Sequence, residues 1–150
     1  MSGHALLLVD DSPEDVQLIL RALHRVVPPD DVAVCSDGQE ALDYLFAEGA
    51  HAGRNASEQP RVVVLDLNLP RVSGLEVLRR LRAAQPTRLM PVVILSASVE
   101  QKDVRAAAQL GANSYVRKSL DYARLSETMT LLARYWLELN IAPPAPSQLD

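Results

Sequence analysis

A doubly wound α/β domain is the fold class that the sequence predicts, on three observations. Short apolar runs alternate with amphipathic stretches, the pattern of parallel strands joined by crossover helices. The run Val62–Leu65 shows no polar alternation, so it reads as a strand covered on both faces. The chain has 150 residues, 48% of them hydrophobic, which suits one domain with a substantial core.

The elements follow in order. Ala5–Val9 is the first strand. Ser12-Pro13-Glu14-Asp15 then supplies an N-cap, a proline at the first helical position and an acid three residues on, and Val16, Ile19, Leu20 and Leu23 line one helical face. The second strand, Val32–Cys35, leads to Asp37-Gly38-Gln39-Glu40, which repeats the capping logic before Ala41, Leu42, Leu45 and Phe46. Ala47–Pro60 reads as a solvated loop longer than most. Val62–Leu65 is the third strand, and Leu75, Val77, Leu78 and Leu81 mark the helix after it. Val92–Leu95 is the fourth. Val104, Ala107, Ala108 and Leu110 mark a weaker helix, stopped by Gly111 in the place of a C-cap glycine.

Tyr115–Arg117 is the fifth strand, followed by a helix from about Tyr122 to Leu139. Tyr122, Leu125, Met129, Leu132, Trp136 and Leu139 form its core stripe, and Leu131 and Tyr135 add a second apolar strip beside it. Residues 1–140 are expected to form the domain and 141–150 a flexible proline-rich tail. No output domain is expected after Leu139.

Composition excludes several function classes. The net charge is −4 and no basic stripe appears, so nucleic acid is not an expected partner. The single cysteine, Cys35, excludes an internal disulfide framework and reads as a small buried hydrophobe. His4, His24 and His51 show no ligand spacing. The apolar run in "MSGHALLLVDD" is soon broken by acids and lacks a basic flank, so it is neither a signal peptide nor a membrane span. A soluble cytoplasmic protein is expected.

The strand ends carry the chemistry. In doubly wound folds, ligands sit outside the carboxyl ends of the strands. Asp10 and Asp11 end the first strand, Asp66 the third, Ser96 the fourth and Lys118 the fifth. Carboxylates ~4 Å apart repel by roughly 4 kcal/mol per pair at an effective dielectric near 20. A bound cation relieves this, and oxygen ligands favour Mg2+. Metal, lysine and hydroxyl together suit a transferred phosphoryl group, whose chemistry is mostly positioning and charge neutralisation. Asp66 would be the nucleophile, ionised at neutral pH without a separate base.

The segments "LLLVDDSPED", "VVVLDLNLPRVSG", "VVILSAS" and "GANSYVRKS", in that order, resemble the receiver domain of bacterial two-component response regulators of the chemotaxis-regulator type. The resemblance covers roughly residues 5–138 and implies a flavodoxin-like fold, five parallel strands in order 2-1-3-4-5 with five helices. It implies that Asp66 is the phosphoacceptor, that Asp11 ligates Mg2+ with Asp10 helping through water, and that Asn68 lends the metal its backbone carbonyl. Ser96 would hydrogen-bond a phosphoryl oxygen, Lys118 would pair with the phosphate, and Tyr115 would be the aromatic switch. The family usually has a proline after the lysine, often cis. Here Ser119 follows, and a non-proline cis bond costs ~2.5–4 kcal/mol, so trans is expected.

The long loop after the second helix and the "YWLELNIAPP" ending resemble the stand-alone regulators of phytochrome-type histidine kinases. Such a kinase, an unknown downstream protein and a second copy of the chain are the expected partners. The copies would meet at Leu131 and Tyr135, whose apolar area exceeds what one buried face needs.

Taken singly, these residues have plainer readings: Asp10 and Asp11 as acids before a helix, Lys118 as a solvated lysine, Ser96 as a strand-end hydroxyl. Four strand ends carrying the right groups together favour the functional reading. Two rival functions use the same residues differently. A Mg2+-dependent aspartyl phosphohydrolase needs a second acid two residues after the nucleophile, where Asn68 stands. A receiver-like module that binds partners without phosphorylation has no need of the full acid–serine–lysine set. A nucleotide-cofactor domain is disfavoured because "VDDSPED" contains no glycine-rich phosphate loop.

Overall fold

The computed structural model describes residues 4–144 and contains a five-stranded parallel sheet in the order β2-β1-β3-β4-β5. The strands are β1 (Leu6–Val9), β2 (Val32–Cys35), β3 (Val62–Leu65), β4 (Val92–Ser96) and β5 (Ser114–Arg117). The helices are α1 (Pro13–Leu23), α2 (Gly38–Phe46), α3 (Gly74–Ala83), α4 (Gln101–Gln109) and α5 (Tyr122–Arg134). The doubly wound class and the expected strand order both hold.

Each central strand divides its side chains between two cores. Leu7 and Val9 of β1 face α2, α3 and α4, where they meet Leu45, Leu78 and Ala107. Leu6 and Leu8 face α1 and α5, among Ile19, Leu23, Leu125 and Met129. A strand buried on both faces has no polar alternation, which is why the valine and leucine runs are unbroken. The helix starts follow the predicted caps. Ser12 accepts from the Asp15 N–H and Asp37 from the Glu40 N–H; α3 starts on a further cap, Ser73, which accepts from the Glu76 N–H. Helix α4 stops at Gly111, which has φ of 95°.

The register places the site. Val9 lies opposite Leu65 across the β1–β3 pair, so the next residues, Asp10 and Asp66, leave the sheet side by side. Ser96 lies opposite Arg117, which brings Lys118 to the same edge. Among the described residues no peptide bond is cis, so Ser119 follows Lys118 through the expected trans bond, and no helix is long and apolar enough to cross a membrane.

Two expectations need correction. The segment Ala47–Pro60 is not simply a solvated loop, because it contains a 3-10 turn at Gly49–His51 and folds back on α2. Arg54 stacks 3.8 Å from the Tyr44 ring centroid and donates to the Tyr44 carbonyl, while Gln59 donates to the Leu45 carbonyl at 2.7 Å. Polar composition there serves the last carbonyls of α2, which a helix end leaves without intrahelical partners.

The second correction concerns the last helix. Beyond Arg134 the chain winds as a π-helix over Tyr135–Leu139. The wider turn shifts the phase of the apolar stripe. Leu137 therefore packs against the core, and Leu139, expected in the stripe, is 73% exposed. Arg61 holds this end by donating to the carbonyls of Leu137 at 2.6 Å and Asn140 at 3.4 Å. Residues 141–144 of the expected tail form no helix or strand, and 145–150 lie outside the described residues.

Gly74 fits the first turn of α3 only because it has no side chain. A Cβ there would lie 2.1 Å from the Asp66 carbonyl oxygen and 2.7 Å from the Leu67 Cα. Both neighbours are backbone, so neither can rotate away. Gly74→Ala should lower stability by about 1–3 kcal/mol, the usual range for overpacking. Chemical denaturation checks this, and an unchanged midpoint would refute the close approach.

Candidate functional site

Four strand-end groups and one helix residue meet at the carboxyl edge of the sheet. Their backbones are held by the ladder and its extensions. The Asp66 N–H donates to the Val9 carbonyl at 3.0 Å, the Asp10 N–H to Cys35 at 3.1 Å and the Lys118 N–H to Ser96 at 2.8 Å. Lys118 is 7% exposed and its ammonium donates to three carboxylates: Asp10 Oδ2 at 2.8 Å, Asp15 Oδ2 at 3.0 Å and Asp66 Oδ2 at 3.0 Å. An ammonium has three N–H donors, so all are engaged.

Asp10 is 2% exposed and Asp66 8%. Burial pushes the Asp10 carboxyl above its ordinary pKa, against the opposing hydrogen bonds from Lys118 and the Ser12 N–H. For Lys118, burial alone would lower the pKa. The hydrogen bonds to Asp10 and Asp15, with the Asp66 charge, outweigh it and raise the net value. The ammonium is therefore a fixed positive charge at any physiological pH.

Asp11 is exposed at the mouth of the pocket, and oxygens of Asp10, Asp11 and Asp66 lie within 4.8 Å of one another. This all-carboxylate set fits a hard divalent cation. Lys118 neutralises only one of the charges gathered here, so the pocket stays net acidic. Asn68 is exposed, and its backbone N–H reaches Asp66 Oδ1 at 3.4 Å. Ser96 is buried, with its Oγ accepting from the Ser98 N–H at 3.2 Å. The half-buried Tyr115 donates its hydroxyl to the Ser98 carbonyl at 2.7 Å. Leu131 and Tyr135 lie on the last helical segment, 62% and 49% exposed.

Sequence reasoning missed Asp15 as a site residue. By sequence it reads as the acid of a helix cap, which normally turns back to the N-cap N–H. Here that N–H, on Ser12, is taken by Asp10 Oδ1 at 2.9 Å, and Asp15 turns to Lys118 instead. The signal was the aspartate two residues before Ser12, a spacing that favours such a local turn.

Comparison with known proteins adds an independent line. The family model of the response regulator receiver domain matches residues 6–130. The probable methanogenesis regulatory protein FilR2 of Methanothrix harundinacea is 38% identical over 138 residues, covering 92% of this chain and 86% of the relative. Response regulator Rcp1 of Synechocystis is 31% identical over 140 residues, covering 93% of each. Among solved structures, the phosphorylated cyanobacterial phytochrome response regulator RcpA superposes with a TM-score of 0.86 at 32% identity, over 95% of this chain and 99% of that one. The Mn2+-bound form of Rcp1 gives 0.83 at 30% identity, over 92% and 97%.

The raised Asp10 pKa carries a stability consequence. The folded chain binds that proton more tightly than the unfolded chain, whose ordinary value is 3.8, so the group's contribution falls as pH rises through the folded-state pKa. Asp10→Asn removes the penalised charge while keeping shape and acceptor oxygen. In chelator at neutral pH the variant should melt above wild type, and the gain should shrink as pH approaches about 4. Calorimetry across that range checks both. A variant that melts lower at neutral pH would refute the electrostatic account.

Proposed function

The chain belongs to the response regulator receiver domain family, and from that premise we propose that a histidine kinase passes a phosphoryl group to the Asp66 carboxylate. An Asp66 oxygen forms the new P–O bond as the P–N bond of the phosphohistidine breaks, and the departing imidazole takes up a proton. The observation that carries this reading is the Asp66 carboxylate at the sheet edge, 3.0 Å from the Lys118 ammonium and beside the carboxylates of Asp10 and Asp11.

Asp10, Asp11 and Asp66 would hold Mg2+, joined by the backbone carbonyl of Asn68; the Mn2+-bound form of the relative Rcp1 supports a divalent site. When bound, the cation supplies neutralisation of phosphoryl charge. Lys118 pairs with the new phosphoryl oxygens, and to do so its ammonium gives up donors now held by Asp10 and Asp15. Ser96 donates its hydroxyl to another phosphoryl oxygen. Tyr115, bonded to the loop after Ser96, responds as the switch residue. These contacts form only after transfer, so they favour one conformer by differential binding. Asn68 stands where a phosphohydrolase needs its second acid, which favours a phosphoacceptor over an enzyme acting on other substrates.

The kinase we propose is of the phytochrome type, by likeness to RcpA. The setting is cytoplasmic, and the output is binding to a protein partner. The chain works as a homodimer whose copies meet at Leu131 and Tyr135, the exposed apolar strip beside the buried stripe of α5.

Two outcomes follow. Labelling by a phosphodonor in Mg2+ should occur on Asp66 and vanish in Asp66→Asn and on chelation; intact labelling of that variant would end the assignment. Sedimentation should show a wild-type dimer and a largely monomeric Leu131→Glu/Tyr135→Glu variant. A monomeric wild type, or an equally dimeric variant, would refute the interface.

A further inference from the structure

Outside the acidic pocket, one thiol, one carboxylate and one imidazole converge. A ligand atom from each of Cys35, Glu40 and His51 lies within 4.8 Å of the other two. Each arrives from a different element. Cys35 ends β2 and is buried. Glu40 sits in the first turn of α2, where its Oε1 accepts from the Ser36 N–H at 2.8 Å, while its Oε2 stands 3.5 Å from His51 Nε2. His51 closes the 3-10 turn that begins at Gly49, whose φ of 53° favours glycine. The Tyr44 ring packs edge-on to the imidazole at 5.2 Å.

An ordinary Glu–His pair does not account for this geometry. A charge-assisted N–H···O bond spans about 2.7–2.9 Å. His51 Nε2 is instead buried with no hydrogen-bond partner among the described residues. Zinc–nitrogen and zinc–oxygen bonds of about 2.0–2.2 Å at a tetrahedral angle separate the two donors by about 3.3–3.5 Å. The 3.5 Å observed between Nε2 and Oε2 fits that spacing.

We propose that Cys35, Glu40 and His51 bind a transition-metal dication of the zinc class, in a site separate from the acidic pocket, with a fourth position open to water. Thiolate and imidazole donors select Zn2+ over Mg2+, which prefers oxygen alone. As the sulfur–metal bond forms, the Cys35 thiol releases its proton to solvent. Without metal the group stays a thiol, because burial, with the Glu40 and Asp37 charges, pushes it up to about 12. Of the three, His51 also lines a neighbouring cleft of about 650 Å3, with His4, Tyr44 and Arg54. Occupancy would tie the end of β2, the first turn of α2 and the turn at His51 together.

The test is titration of the full chain with Co2+ and Zn2+ in saturating Mg2+, read by absorption and calorimetry. The expected result is one Zn2+ per chain and a thiolate-to-cobalt charge-transfer band. Cys35→Ser should abolish the band, and His51→Gln, on a half-buried turn, should weaken Zn2+ binding at least tenfold. Asp66→Asn, which alters only the acidic pocket, should leave the band in place. Absence of the band in wild type, or Zn2+ binding unchanged in His51→Gln, would overturn the site.

Discussion

The Lys118 ammonium gives its three N–H donors to Asp10, Asp15 and Asp66, and the carboxyl edge of the sheet is organised around that contact. At an effective dielectric near 20, two carboxylates ~4 Å apart repel by roughly 4 kcal/mol, so a cluster of this kind does not assemble unaided. Buried strands on either side fix the backbones and prevent the acids from spreading apart. The close approach of Gly74 to Asp66 does the same from the helix side. One ammonium leaves the pocket acidic, which makes it receptive to a second cation.

The same lysine is joined to the outer surface through bonded neighbours. Its N–H binds the Ser96 carbonyl, the Ser96 hydroxyl accepts from Ser98, and Ser98 receives the Tyr115 hydroxyl on its carbonyl. The Ser98 hydroxyl in turn donates to Asp103 in the first turn of α4 at 2.7 Å. Charge added at Asp66 therefore meets a short, continuous set of contacts leading to α4 and β5.

Much of this was legible in the sequence because the relevant signals are local. Val62–Leu65 spells out a strand covered on both faces, and Ser12 and Asp37 cap helices at the positions where their type works best. The parallel order then brings Asp10, Asp66, Ser96 and Lys118 to one edge without further information. What stayed hidden depends on competition between partners. Asp15 looks like a capping acid until Asp10 occupies the N–H it would have capped. The polar segment after α2 looks solvated until Arg54 and Gln59 turn back to helix carbonyls. His51 carries no ligand spacing because its neighbours, Cys35 and Glu40, come from other elements.

The π-helix at Tyr135–Leu139 bears on how this chain can be matched to others. An α-helix advances a side chain by 100° per residue, and a wider turn breaks that count. Any relative that continues as a regular helix past the position of Arg134 presents a different set of side chains inward, even where identities line up column by column. Leu137 and Leu139 trade places in such a comparison, one packed on the core and the other in solvent. A chimera that grafts another regulator's C-terminal segment onto this chain must therefore be cut before the wider turn or carry it whole. A junction inside it would leave the Arg61 guanidinium without the two carbonyls it now holds.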